Sequence, residues 1–163
     1  MRYYRKIVIV IFVLCTACCA IMAQNNRGMP LFKIRLTNER GFTYKDIKKD
    51  IPVVLIYFSP TCDHCEAFAR ELVKHEKALQ KKQIVMVCWE DLNQAKQFDT
   101  AFKLSSHSNI KIGSEGYSFT VQKYFNIQHY PFIAFYDSRG QLVKTVDGVS
   151  RQPSKLVSAI INF

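Results

Sequence analysis

Two cysteines stand two residues apart in FSPTCDHCE, Phe58–Glu66, and a pair at that spacing can do three kinds of chemistry. Cys62 and Cys65 can exchange with another disulfide, supply two ligands to a metal ion, or close a short structural bridge. His64 lies between them as a group able to hold positive charge or donate a hydrogen bond beside the sulfurs. Glu66 follows Cys65 directly.

What positions the pair decides among these. IPVVLIYF, Ile51–Phe58, is a continuous apolar run rich in branched residues, the pattern of a central strand covered on both faces. Beyond Cys65, Phe68, Leu72, Val73 and Leu79 share one side while Arg70, Lys74, Lys77 and Lys81 mark the other, which predicts a helix over about Asp63–Lys81. Cys62 therefore falls at a helix amino end, where unpaired backbone N–H groups and the helix dipole favour a thiolate. The thiolate is the attacking species in disulfide exchange, so Cys62 is the expected nucleophile, with Cys65, one turn on, resolving the mixed disulfide. By stabilising the reduced form, His64 would make the centre more oxidising. A closed zinc site needs four ligands, and neither a second cysteine pair nor a suitably spaced histidine pair follows. A bridge over so short a loop would stabilise little.

The leader and the composition bound the compartment. Arg2, Arg5 and Lys6 precede the apolar or small run Ile7–Ala23, which reads as a secretory signal peptide or an uncleaved membrane anchor over 1–23. A lipid-attachment reading at Cys18 is weakened by Cys15, which stands where leucine is preferred. Either route exports the domain to an oxidising compartment, a bacterial periplasm or cell envelope. Without the leader only Cys62, Cys65 and Cys88 of the six cysteines remain, too few for a disulfide framework. The rest keeps all but three of the 23 basic residues against 13 acids, for a net charge of +7. These basic residues are scattered, not clustered with aromatics, so the pattern argues against a nucleic-acid surface.

Residues 24–30 read as a polar linker and 31–163 as one domain. LFKIRLT alternates as a half-buried strand, NERG turns, and FTY returns. QIVMVCW repeats the buried-strand pattern, and EDLNQAKQFDTAFKL follows as a helix from near Asp91. SNIKIG is a short strand, Ser118–Asn126 a helix, and PFIAFYD and QLVKTVDG a hairpin through SRG. A last helix runs from Pro153, with Leu156, Val157, Ile160 and Ile161 toward the sheet. Cys88, inside its apolar run, reads as a small buried hydrophobe. Trp89, Tyr57 and Phe58 are expected to line or underlie the site. His75, His107 and His129 show no ligand spacing, His129 being close in sequence to Tyr130 and Pro131.

IPVVLIYFSPTCDHC followed by a helix, then YFNIQHYPFIAFYDSRGQLVKTVDG, resembles the thioredoxin superfamily, and within it the thiol-disulfide oxidoreductases of the TlpA and ResA type. The resemblance spans about Phe32–Phe163. It implies an α/β three-layer sandwich, a mixed central sheet flanked by helices, with an N-terminal strand pair and an inserted strand and helix. It also implies a cis peptide before Pro131, with Tyr130 and Pro131 binding the client, and a redox-active Cys62–Cys65 disulfide with no further cofactor. Protein thiols and disulfides are the implied clients, with a membrane redox partner and, on the reductase side, service to cytochrome c maturation. Two departures stand out: Thr61 occupies the place of a common tryptophan, and Ile56 that of a buried aspartate. The family's proton-transfer carboxylate is thus missing, leaving Glu66 and Glu90 as candidates. A peroxidase of the peroxiredoxin kind is disfavoured by Leu55 where it needs proline. A thioredoxin-fold copper carrier, or a binding module with an idle pair, is the alternative.

Overall fold

The computed structural model describes residues 28–148 and 152–163; the expected leader and residues 24–27 of the expected linker lie outside the described residues. Seven strands form one mixed sheet: β1 (Lys33–Leu36), β2 (Gly41–Thr43), β3 (Val53–Tyr57), β4 (Gln83–Cys88), β5 (Ile110–Ser114), β6 (Phe132–Tyr136) and β7 (Leu142–Asp147), in the order β2-β1-β5-β4-β3-β6-β7. The three central strands β5, β4 and β3 are parallel, and every other pairing is antiparallel.

β3 is buried along its whole length, as its unbroken apolar run requires. Alternation then sorts side chains into two cores. Val54, Ile56, Ile84, Met86, Ile133 and Phe135 meet the helices α1 (Asp63–Lys74), α3 (Leu92–Phe102) and α5 (Pro153–Ile161), through Phe68 and Leu72, Phe98, and Leu156 and Ile160. On the opposite face Leu55, Tyr57, Val85, Val87 and Tyr136 pack against the short helix α4 (Thr120–Phe125), through Val121, and against Phe32 and Ile34 of the N-terminal strand segment. The expected strand pair and inserted strand are both present. β1 docks against β5 at Gly113, where any Cβ would collide with the Arg35 carbonyl.

Three local expectations need correction. The helix expected over Asp63–Lys81 breaks at His75, whose φ of −108° and ψ of 20° leave the helical range; a short helix α2 (Glu76–Leu79) follows. The His75 N–H closes back on the Leu72 carbonyl, and the new direction buries Leu79, whose carbonyl accepts the Asn109 side-chain amide at 2.9 Å. The helix expected over Ser118–Asn126 begins only at Thr120, because Phe119 is left-handed at φ 49° after a 3-10 turn. The strand expected from Leu31 begins at Lys33, with Leu31 exposed. The helix expected near Asp91 is capped by that residue, whose Oδ1 accepts the Asn93 and Gln94 N–H groups.

Candidate active site

The cysteine pair sits where β3 hands over to α1. Phe58 continues β3 by donating its N–H to Val87, and the Cys62 N–H closes a turn on the Ser59 carbonyl at 3.2 Å, with Pro60 at the second position. Cys62 is the N-cap of α1, and its carbonyl accepts the Glu66 N–H at 3.0 Å. This arrangement treats the two sulfurs differently. Cys62 is half-buried, while Cys65 is 1% exposed. Burial pushes the Cys65 thiol well above the ordinary cysteine range; the Ser59 backbone N–H pulls it down in part, and a hydrogen bond with Cys62 and the charge of Glu90 push it further up. Cys65 is therefore a thiol at neutral pH, and Cys62 is the sulfur a partner can reach.

The Tyr130–Pro131 peptide is cis, as the resemblance implies. Pro131 is held from behind: its carbonyl accepts the Gly148 N–H at 2.8 Å, so closely that a Cβ on Gly148 would stand 2.5 Å from that oxygen. The Tyr130 ring rests on that of Tyr57 at 5.9 Å between centroids. Its hydroxyl is raised by burial and by the charges of Glu90, Cys65 and Cys62, against a hydrogen bond from Trp89. Tyr130 and Cys62 pack against the same buried cluster, which contains Cys65. Tyr57 thus underlies the site and Trp89 lines it, whereas Phe58 turns into the core against Phe98.

The two carboxylate candidates separate sharply. Glu66 points outward and pairs with Arg70 at 3.2 Å. Glu90 is 7% exposed; its Oε1 accepts the Ser59 hydroxyl at 2.5 Å, and its Oε2 is buried without a hydrogen-bond partner among the described residues. Ser114 donates to the Glu90 backbone carbonyl and fixes the turn that carries it. His64 is exposed and makes no hydrogen bond or ion pair among the described residues. Cys88 is fully buried, its thiol raised first by burial and then by Glu90. His75 and His107 lie on Glu71 and Glu76, and His129 contacts Asp147 at 3.0 Å on the strand that leads to Gly148.

Three contributors were not singled out by sequence reasoning. Ser59 merely follows the apolar run of β3 and Thr61 counted only as a missing tryptophan, yet their hydroxyls lie 3.2 Å apart beside Glu90. The third, Glu115, is 8% exposed and accepts the Tyr57 hydroxyl at 2.7 Å and the Val121 N–H at 3.0 Å, bracing the floor under Tyr130. The signal for the first two was the hydroxyl spacing in SPTC; for Glu115 nothing in the sequence linked it to Tyr57. No cluster of three His, Cys, Asp or Glu side chains suited to a metal ion occurs among the described residues.

A family model described as a thioredoxin-like domain matches residues 44–162. No curated protein matches the chain significantly in sequence. Among solved structures, a secreted Mycobacterium tuberculosis disulfide oxidoreductase homologous to E. coli DsbE superposes with a TM-score of 0.68 at 18% identity, over 82% of this chain and 96% of that one. The thioredoxin domain of a thiol-disulfide oxidoreductase from Bacteroides vulgatus gives 0.65 at 16% identity, over 85% and 98%. Copper-bound ScoI of Arabidopsis thaliana gives 0.61 at 12% identity, over 83% and 96%.

Proposed function

The chain belongs to the thioredoxin-like domain family, and from that premise we propose that it is an exported thiol-disulfide oxidoreductase that exchanges disulfides with client proteins through Cys62 and Cys65. The observation that carries this reading is the unequal pair: one sulfur at the positive end of α1 and within reach, the other buried, with burial pushing its thiol up. In the reducing direction the Cys62 thiolate attacks a client disulfide, and one client thiolate leaves. Cys65 then loses its proton to Glu90 and attacks the Cys62 sulfur. The second client thiolate leaves, two electrons have passed to the client, and the chain holds a Cys62–Cys65 disulfide. Run backward, the same steps oxidise a client. The pair itself is the redox equivalent, and no other cofactor takes part.

Tyr130 and the cis Pro131 form the wall against which a client backbone lies beside Cys62. The basic leader supports export to a periplasm or cell envelope, in keeping with the secreted neighbour, and gives a means of anchoring near a membrane redox partner. The TlpA and ResA resemblance favours reduction, including service to cytochrome c maturation; His64, exposed in the first turn, would act the other way. The equilibrium reduction potential of the pair decides between them. A value near or below about −250 mV supports a reductase fed by a membrane donor, and one near about −120 to −180 mV an oxidase or isomerase. Absence of a reversible two-electron step, together with stoichiometric copper retained on the thiolates, would replace the enzyme by a copper carrier, a reading prompted by the ScoI likeness.

A further inference from the structure

If Glu90 takes the Cys65 proton, it must pass that proton on or hand it back to the sulfur, and its side chain is only 7% exposed. The turn before the pair supplies a way out. Its first residue, Ser59, bonds Glu90 Oε1 at 2.5 Å; its third, Thr61, is exposed and lies 3.2 Å from Ser59 through the two hydroxyl oxygens. Pro60 fixes the backbone between them, and the Cys62 N–H to Ser59 carbonyl bond closes the turn. Either hydroxyl of the Ser59–Thr61 contact can donate, so the line can run in both directions.

We propose that Ser59 and Thr61 are a two-hydroxyl proton line that connects the buried Glu90 carboxylate to solvent during resolution of the mixed disulfide. The inference rests on the oxidoreductase reading and deepens it. In the step concerned, Cys65 gives its proton to Glu90 and its sulfur bonds to Cys62 Sγ, breaking the bond from Cys62 to the client sulfur. The client leaves as a thiolate. Before that sulfur–sulfur bond forms, Glu90 passes the proton on to Ser59 Oγ, which gives its own hydrogen to Thr61 Oγ1, and Thr61 releases one to water, so the Cys65 thiolate persists long enough to attack. The client thiolate takes up a proton from solvent, so no proton is gained or lost. Both sequence departures find a use here: the carboxylate comes from the end of β4 in place of the Ile56 position, and threonine in place of tryptophan keeps the route to water hydroxylic.

The test is single-turnover reduction of an aromatic disulfide, dithiobis(nitrobenzoate), by the full-length reduced protein. The first released nitrothiolate reports attack by Cys62 and the second reports resolution by Cys65. Ser59→Ala and Thr61→Val should leave the first phase unchanged and slow the second by about tenfold to a hundredfold. Small buffer bases such as imidazole should restore the second phase, and Ser59→Thr and Thr61→Ser should keep it near the wild-type rate. Circular dichroism on each variant separates these effects from misfolding. A second phase of wild-type rate in either Ser59→Ala or Thr61→Val would overturn the line while leaving the enzyme reading intact. So would slowing that buffer bases fail to relieve in a folded variant. Failure of the wild-type protein to release nitrothiolate in two phases would instead overturn the enzyme reading itself.

Discussion

The two ends of the parallel strands β3, β4 and β5 hold polar groups of different kinds. At the amino ends they are half-buried amides with their bonds completed, beside the buried Lys82, whose ammonium donates to the Ile161 carbonyl at 3.1 Å: Gln83 exchanges hydrogen bonds with the Lys48 backbone at 2.8 Å in both directions, and Asn109 donates to the Leu79 and Lys82 carbonyls. At the carboxyl ends the molecule buries two carboxylates, Glu90 and Glu115, with hydroxyl partners and no ion-pair partner among the described residues. An amide that staples two loops serves stability. A carboxylate buried without a cation costs stability and signals another use, and it is the end with the carboxylates that also carries the cysteine pair.

The contrast breaks most completely at the sulfurs. Cys62→Ser should abolish exchange with any disulfide and leave stability within about 0.5 kcal/mol of wild type, measured by nitrothiolate release and by urea unfolding. Glu90→Gln should slow resolution by roughly a hundredfold while stability holds or rises by about 1 kcal/mol, since a buried carboxylate is replaced by a neutral group of the same shape. The opposite end should behave in reverse: Asn109→Ala should cost about 1–3 kcal/mol in urea unfolding and leave both exchange phases unchanged. A loss of stability in Glu90→Gln as large as in Asn109→Ala would erase the distinction. Between the extremes lies Gly148→Ala, whose Cβ would press on the Pro131 carbonyl; stability should fall by about 1–3 kcal/mol and exchange should weaken with it.

A pH dependence separates the reduced form from the oxidised one. Cys65 and Cys88 are both raised by burial, so above the ordinary thiol range near pH 8.5 the unfolded chain gives up protons that the folded chain keeps. The unfolded state then binds fewer protons, and the stability of the reduced protein falls as pH rises, by up to about 1.4 kcal/mol per pH unit for each thiol. Oxidising the pair removes the Cys65 contribution and should make the slope between about pH 9 and 10 shallower by up to about 1.4 kcal/mol per pH unit, while the buried Cys88 thiol and the raised Tyr57, Tyr130 and Tyr136 hydroxyls contribute in both forms. Urea midpoints of both forms across that range check it.

Much of this was legible in the chain itself. The branched runs of β3 and β4 announced strands covered on both faces, Asp91 announced a helix start, and the switch from apolar run to helical pattern placed Cys62 and Cys65 at a strand-to-helix junction. The break at His75 was hidden because Leu72 and Leu79 keep helical spacing across it and both end up buried. The sequence sets Glu90 only slightly ahead of Glu66, because the difference depends on the pairing of Tyr57 with Val87, which brings the turn after Cys88 alongside Ser59. Glu115 and Tyr57 lie 58 residues apart, and only the parallel register of β5 on β4 joins them. Local pattern fixes elements; what faces what across the sheet comes from register.

The seating of β1 on β5 also sets an order of events. Leu36 pairs with Gly113 across most of the domain's length, so this contact closes a long loop and has little to gain until β5 lies in place beside β4. A chain made from its amino end therefore produces β1 first and seats it late. Pulsed hydrogen exchange during refolding should find the amides of β3 and β4 protected early and those of β1 among the last.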